Sequence, residues 1–432
     1  MRIHLSALGC RLNEAELEQW AQAFTAAGDQ IANQPGEADV MVMNSCAVTR
    51  EAVRKSRQKL QRLQRENPLA KLVVSGCYSE LEPMSALAEL GVDLVVPNGE
   101  KDKLVPMTRD AFAQPSMPQA ATIPATTALF TRNRHRAFIK IQDGCRYRCT
   151  FCIVTVARGA ERSRSIDDIV DEVCALHGEG VREIVLTGVH VGGYGSDLDN
   201  DLQSLVQALL ERTAIPRIRF ASVEPWDLSP GFLDLFTDTR VMPHMHLPLQ
   251  SGSDSVLKRM ARRCKTQDFN DLTQSLRDAV PHFNITTDII AGFPGESEQE
   301  WAESMEFIRT QQFGHIHAFT YSEREGTAAA RFADPVPVPV RQQRSRELHQ
   351  LAEQLKAAQL QRSIGTVADV LWERGRQSTN SDGQPVWTHK GYTPNYQRVR
   401  IHSETDLANQ ILATRISGVD QGNLCGQLQP TL

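Results

Sequence analysis

Short apolar runs alternate along the chain with longer stretches in which apolar residues recur every three or four positions. The runs Arg2–Ala7, Asp39–Met43, Lys71–Ser75 and Val92–Val96 read as strands. The stretches from about Asn13 to Ala27 and from Thr49 to Arg65 read as helices. That βαβα order predicts a parallel sheet covered by helices, spanning residues 1–111. Residues 112–130 change character: Pro115, Pro118 and Pro124 sit among Ala, Thr, Ser and Gln, which predicts a linker. Six further strand candidates follow: Ala137–Ile141, Glu183–Thr187, Arg217–Ser222, His244–Leu249, Asn284–Ile290 and His315–Thr320. Amphipathic stretches such as Ile166–His177 and Glu298–Thr310 lie between them, so residues 131–340 predict a barrel or partial barrel of six βα units. A charged helix, Arg341–Arg362, connects (341–364) to a last segment, 365–432, with β-type runs at Val367–Trp372, Gln397–Ile401 and Gln410–Ile416. That segment predicts a small OB-like β-barrel. The fold class is therefore α/β with a small β domain at the end.

Composition narrows the picture little. The 432 residues are 41% hydrophobic and 23% charged, which is ordinary globular material. No apolar run approaches the ~18 residues of a membrane span, and no signal-peptide pattern opens the chain, so a cytoplasmic protein is expected. The net charge of −5 excludes a simple basic nucleic-acid binder and leaves room for a local basic face. Arg50, Arg54, Lys55, Arg57, Lys59, Arg62 and Arg65 stand against Glu51 alone in one predicted helix, and Arg132, Arg134 and Arg136 add a basic strip. Either is a phosphate-binding face or simply a solvated one. In the last segment Trp387, Tyr392 and Tyr396 lie near Lys390, Arg398 and Arg400, a mixture suited to unstacked bases.

The cysteines change the picture most. Nine are present, and without a secretory signal clustered cysteines point to metal or catalysis rather than disulfides. Cys145, Cys149 and Cys152 form C-x3-C-x2-C in QDGCRYRCTFC, with Phe151 before the last, between a predicted strand and a helix. Three close thiolates can hold three irons of a cubane and leave the fourth open; a zinc knuckle is the other reading. Cys10, Cys46 and Cys77 are distant in sequence, yet each follows a predicted strand of the first domain. Ligands gather beyond the carboxyl ends of parallel strands, so these three converge on a second site or else are three core cysteines. Cys174 lies on what reads as the apolar face of a helix, which predicts core packing; Cys264 and Cys425 carry no assignment.

With these residues in view, the chain resembles the radical-SAM methylthiotransferases over nearly its whole length. The resemblance rests on LGCRLNEAELE, NSCAVTREAVRKSRQ and NPLAKLVVSGCY, then IKIQDGCRYRCTFCIVTVARGAERSR, with a final segment similar to a TRAM domain. The segments LTGVHVGGYGSD, SVEPWDL and HLPLQSGSDSVLKRMARR are most similar to the branch acting on N6-threonylcarbamoyladenosine in tRNA, the MtaB type. Other branches act on isopentenyladenosine in tRNA or on a ribosomal-protein aspartate. Thr155 departs from a usual proline and Ser45 from a usual threonine. The resemblance implies two [4Fe–4S] clusters, one on Cys145, Cys149 and Cys152 and one on Cys10, Cys46 and Cys77, together with S-adenosylmethionine. It implies radical abstraction of the adenine C2 hydrogen, with methylated sulfur delivered from the second cluster. Phe151, Gly188, Ser222, Glu224, His246, Gln250 and Gly292 are then candidate cofactor contacts near strand ends. Residues 292–296 (GFPGE) are candidates to close over the cofactor. Arg158, Arg162 and Arg164 are candidates for a carboxylate or phosphate, or for a solvated face. The implied partners are a tRNA anticodon loop, an electron donor of flavodoxin or ferredoxin type and an unidentified sulfur donor, with the enzyme a monomer. The reading from a different class is a non-catalytic RNA-binding protein with structural zinc.

Overall fold

The computed structural model describes residues 1–112, 135–379 and 384–429. They form two compact units: residues 1–112 with 143–161 and 322–327, and residues 135–142 and 162–321 with the described residues from 328 onward. The predicted linker, past its first residue, and the basic residues Arg132 and Arg134 lie outside the described residues.

The first unit is built on five parallel strands, β1 (Arg2–Ala7), β2 (Gln30–Ile31), β3 (Val40–Ser45), β4 (Lys71–Gly76) and β5 (Leu94–Val95), in the order β2-β1-β3-β4-β5. The central strand β3 reads VMVMNS and is buried at every position, as a strand covered on both faces requires. Val40 and Val42 turn toward helix α1 (Arg11–Ala26), where Leu17, Trp20 and Phe24 supply the helical stripe. Met41 and Met43 turn toward helix α2 (Arg50–Glu66), which contributes Leu60 and Leu63. This strand order is that of a doubly wound sheet whose order reverses between β1 and β3. Ligands of such folds bind beyond the carboxyl ends at that reversal.

In the second unit the strands Arg136–Lys140, Glu183–Thr187 and Arg217–Phe220 pair in parallel, as do His244–His246, Asn284–Ala291 and His315–Thr320. Bridges Ile218–Val241 and Ser222–His246 join the two sets into a six-stranded partial barrel. Alternate residues Ile139, Ile184, Leu186, Ile218, Phe220, Met245, Ile285, Ile289 and Ile316 enter one continuous core with the outer helices. The opposite faces line the lumen, and they mix polar residues with a few apolar ones such as Phe138, Val185 and Ile290. At its base Glu183 accepts hydrogen bonds from Nε and Nη2 of Arg219, each at 3.1 Å, with Arg217 and Arg136 at 3.7 and 3.8 Å. Burial alone would raise the carboxyl pKa of Glu183, but these arginines hold it below its ordinary value.

The C-terminal strands Val367–Trp372, Pro385–Tyr392, Arg398–Ser403, Asn423–Leu428 and Ile411–Asp420 close into a five-stranded barrel, in that spatial order, around Trp372, Val399 and Leu424. The parallel pairing of the third and last strands in sequence completes the OB arrangement. Strands Pro385–Tyr392 and Asn423–Leu428 lack a clean alternation and were not predicted by the sequence pattern. The connecting helix runs from Val338 to Arg362, a turn earlier than predicted, because Pro339 is tolerated in a first turn that needs no amide donor. Two other expectations are corrected. Cys174 is exposed, since the buried stripe of its helix is Ile169, Val170 and Val173. Tyr392 and Tyr396 stack on each other (4.9 Å) and pack beneath the partial barrel, with Arg136 4.3 Å over Tyr392 and Arg219 4.7 Å over Tyr396. The aromatic–cation mixture read as a base-stacking surface thus includes an internal joint between the two barrels.

Candidate functional site: two cysteine triads and a polar barrel lumen

Cys10, Cys46 and Cys77 follow the carboxyl ends of β1, β3 and β4, three neighbouring strands. Cys10 and Cys77 each follow a glycine in the left-handed region, Gly9 at φ 111° and Gly76 at φ 106°. A Cβ on Gly9 would fall 2.7 Å from Cys46 Sγ, and one on Gly76 would fall 2.3 Å from the Ser45 carbonyl oxygen. These glycines let the first and third loops close over the second. The Cys46 amide donates to Ser56 Oγ at 3.0 Å, and that hydroxyl donates back to the Cys46 carbonyl at 2.8 Å. Ser45, the departure from the family pattern, donates to the Ser75 carbonyl at 2.6 Å and so ties β3 to β4.

The three thiols lie within electrostatic reach of one another. Burial pushes the Cys46 thiol up to about 11. Cys10 retains open surface, yet the protein crowded around its recess raises its pKa too, with Arg158 opposing the rise. Three converging sulfur donors, none in a disulfide and two of them costly to ionise alone, are suited to a soft metal group that supplies the compensating charge.

The second triad lies in the same compact unit, on the loop 143–161. Cys145, Cys149 and Cys152 are half-buried thiols outside any disulfide, and Phe151 is half-buried beside them. The loop is fastened at both ends. The Cys145 amide donates to the Gly159 carbonyl at 3.1 Å, and Thr155, the other departure from the family pattern, donates through its hydroxyl to the Tyr147 carbonyl at 2.8 Å. Gly144 admits no side chain, since a Cβ would lie 1.9 Å from the Ala160 carbonyl oxygen. The Val154 amide points at Cys152 Sγ, 3.4 Å away. Three thiols on one short loop, with no fourth cysteine joining them among the described residues, fit a cubane that keeps one iron open.

Arg158 links this loop to the first triad. Its guanidinium donates to Glu16 at 3.1 Å, Asp143 at 2.9 Å and Asn13 at 2.8 Å, and its side chain is 2% exposed. Burial works against its charge, but Glu16 and Asp143 more than offset that and raise its pKa above the ordinary value. Lys101 and Asn44 also bind Glu16, at 2.5 and 2.8 Å. Arg158 is thus neither a solvated side chain nor an accessible phosphate contact. Arg164 pairs with Glu172 at 2.5 Å, and Arg162 is exposed.

The other predicted contacts lie in the barrel. Gly188 packs against Gln142, whose side-chain oxygen accepts the amides of Val189 and His190 at 3.1 and 2.9 Å; a Cβ at 188 would fall 2.9 Å from it. Ser222 bridges to His246 across adjoining strands. Glu224 Oε2 is buried without a hydrogen-bond partner, 3.6 Å from His190, and burial raises the pKa of that carboxyl. Gln250 takes φ 77° and donates its amide to the Asp288 carbonyl at 2.8 Å. Gly292 donates its amide to Glu296 at 2.8 Å, and Glu296 also binds Arg344 at 2.9 Å. The GFPGE turn is therefore held partly by its own glutamate, whose carboxyl burial pushes up to about 7. Sequence reasoning missed Arg158 as a structural tie, and it missed Asp288 and His317, which share the lumen with His246. The period-two spacing in NITTDII and HIHAFT was the available signal.

A six-strand βα partial barrel whose first strand is followed in sequence by a three-cysteine loop defines a radical-SAM enzyme. Residues 139–308 match the model of the Radical SAM superfamily, and residues 2–97 match that of the Uncharacterized protein family UPF0004. The chain is similar to the threonylcarbamoyladenosine tRNA methylthiotransferase MtaB of Bacillus subtilis, at 35% identity over 95% of this chain and 92% of that protein. It is 32% identical to the Thermotoga maritima protein of the same name, over 86% of each chain. It is 31% identical to the tRNA-2-methylthio-N(6)-dimethylallyladenosine synthase of Staphylococcus aureus, over 98% of this chain and 84% of that one. Among solved structures, the radical S-adenosylmethionine methyltransferase TsrM of Kitasatospora setae shares the fold, with TM-score 0.58 and 13% identity over 76% of this chain and 77% of that one. The chain belongs to the tRNA methylthiotransferase family of radical-SAM enzymes, and it is a transferase that uses S-adenosylmethionine. That membership implies a [4Fe–4S] cluster.

Proposed function

We propose that this enzyme converts N6-threonylcarbamoyladenosine, next to the anticodon of tRNA, to its 2-methylthio derivative at adenine C2. Two separate three-cysteine groups within one compact unit carry this reading. The choice of base draws on the two MtaB relatives above, which are slightly more similar than the dimethylallyladenosine synthase.

In this reading Cys145, Cys149 and Cys152 hold one [4Fe–4S] cluster and Cys10, Cys46 and Cys77 hold a second. When bound, the first with S-adenosylmethionine supplies radical chemistry able to break an unactivated aromatic C–H bond, and the second supplies sulfur. The chain's own residues bind and orient. Phe151 shields Cys145, Cys149 and Cys152 from water. Glu224, with a buried oxygen lacking a hydrogen bond, takes a ribose hydroxyl of the cofactor. Gly188 and Gly292 let main chain approach the cofactor, and Ser222, His246 and Gln250 complete the wall around it. The closed C-terminal barrel acts as a TRAM-like RNA module, α2 meets RNA phosphates, and the target adenosine comes from the anticodon loop, where bases are already partly unstacked. The reading includes a monomeric cytoplasmic enzyme, an electron donor of flavodoxin or ferredoxin type and a sulfur donor of unidentified chemistry. No helix among the described residues is long and apolar enough to cross a membrane. The domain boundaries 1–111, 131–340 and 365–432 belong to the same reading.

Anaerobic iron and sulfide analysis tests the clusters. About eight irons per chain are expected, falling to about four when Cys145, Cys149 and Cys152 are changed to Ala. About four falling to none would remove the role of Cys10, Cys46 and Cys77, and zinc in place of iron would favour a structural RNA-binding protein. Nucleoside analysis of tRNA from a deletion strain tests the base: loss of the methylthio mark from dimethylallyladenosine instead would move the enzyme to the other branch.

A further inference from the structure

Strands His244–His246, Asn284–Ala291 and His315–Thr320 lie side by side, with His246 opposite Thr286 and Asp288 opposite His317. Met245, Ile285, Ile289 and Ile316 point into the core behind the sheet. The alternate residues therefore face the lumen, where ligand atoms of His246, Asp288 and His317 lie within 4.8 Å of one another. His246 Nε2 is 3.2 Å from Asp288 Oδ1, and its Nδ1 is 3.0 Å from Thr286 Oγ1. The His317 ring centroid is 5.5 Å from that of His246 and 4.6 Å from that of His315. The group is reachable, with His246 and Asp288 partly open and His317 exposed. A wall of imidazoles and one carboxylate is costly to cover with hydrocarbon and favourable to cover with hydrogen-bonding groups.

The two substrate types in the relatives' names differ in this chemistry. A dimethylallyl group on the adenine amine is pure hydrocarbon. A threonylcarbamoyl group carries a hydroxyl, ureido N–H groups and a carboxylate. Asp288 can only accept, so it suits the hydroxyl and N–H donors, while imidazole N–H groups suit the carboxylate or carbonyl. We propose that Asp288 and His317, with His246 at the border they share with the cofactor wall, form the subsite that binds the N6 substituent of the target adenosine and selects a polar one over a hydrocarbon one. The inference rests on the reading of the barrel lumen as the substrate site of a threonylcarbamoyladenosine enzyme.

The test uses reconstituted holoenzyme and two anticodon stem-loop RNAs, one carrying threonylcarbamoyladenosine and one dimethylallyladenosine. For the parent, His317→Ala and Asp288→Asn, kcat/KM is measured on each RNA, with the Kd of each RNA measured separately. His317 is exposed, so its truncation leaves folding intact even if the Asp288 change does not. The parent should prefer the polar substituent. Each variant should lose about tenfold or more of that preference, through weaker binding of the polar RNA. A parent that prefers the dimethylallyl RNA would defeat the underlying reading and the subsite with it. A parent preference kept unchanged in both variants would defeat the subsite alone. One zinc per chain in the holoenzyme, lost in His317→Ala, would assign the trio to a metal and overturn the proposal.

Discussion

Replacing Arg158 by Met keeps most of the side chain's length and removes its charge from a site where nothing readily replaces it. The side chains of Arg158, Glu16 and Asp143 are 2%, 2% and 5% exposed, so water cannot take the guanidinium's place. Glu16 retains Lys101, whereas Asp143 loses this cation. Breaking a buried pair by deleting one partner typically costs about 3–5 kcal/mol, because the stranded charge stays desolvated. For a unit of this size each kcal/mol lowers the melting temperature by about 2–4 °C, which predicts a drop of about 6–20 °C in the cluster-free protein. Adding Asp143→Asn should recover part of the loss, since it removes the carboxylate whose ion pair with Arg158 was broken. A second readout follows from the thiols. Arg158 opposes the burial that raises the Cys10 pKa, so its removal should raise that pKa further and slow alkylation of Cys10 at pH 8. Scanning calorimetry and timed alkylation measure the two effects. A variant melting within about 2 °C of the parent would refute the argument that this ion network holds the two cysteine loops together.

Gly76→Ala puts a Cβ 2.3 Å from a carbonyl oxygen at φ 106°; strain of about 1–3 kcal/mol should lower iron from about eight to about four per chain, read by iron analysis. Glu300, held at about 2 mainly by its hydrogen bonds from Arg259, has a folded pKa below its unfolded value of about 4.3. Its stabilisation is therefore present above about pH 4.3 and lost as pH falls toward 2. Glu300→Gln should remove about 1–2 kcal/mol at pH 6 and almost nothing at pH 2, measured by urea unfolding of the apoprotein. Charge reversal of Arg54, Arg57 and Arg65, exposed along α2, should weaken RNA binding and reduce the slope of log K against log salt by about two to three; an unchanged slope would make α2 a solvated face only.

Much of this protein was legible in its sequence because the relevant signals are local. A helix or strand declares itself within about ten residues through the spacing of its apolar positions, so β1, β3, β4 and all six barrel strands were found close to their actual places. The three-cysteine spacing is local in the same way, and the placement of Cys10, Cys46 and Cys77 after neighbouring strand ends follows as soon as the sheet is known to be parallel. Tertiary structure alone decided which elements become neighbours. The order β2-β1-β3-β4-β5 brings the loops of Cys10 and Cys46 together at the reversal point, and no property of either strand encodes that adjacency. Arg158 meets Glu16 across 142 positions, and a charge that distant looks the same in sequence whether it ends in solvent or in a buried pair. Cys174, Tyr392 and Tyr396 were misread for the same reason: burial belongs to the partner surface as much as to the residue. His246, Asp288 and His317 come from three strands with different sequence neighbours, and only the register of those strands makes them one patch.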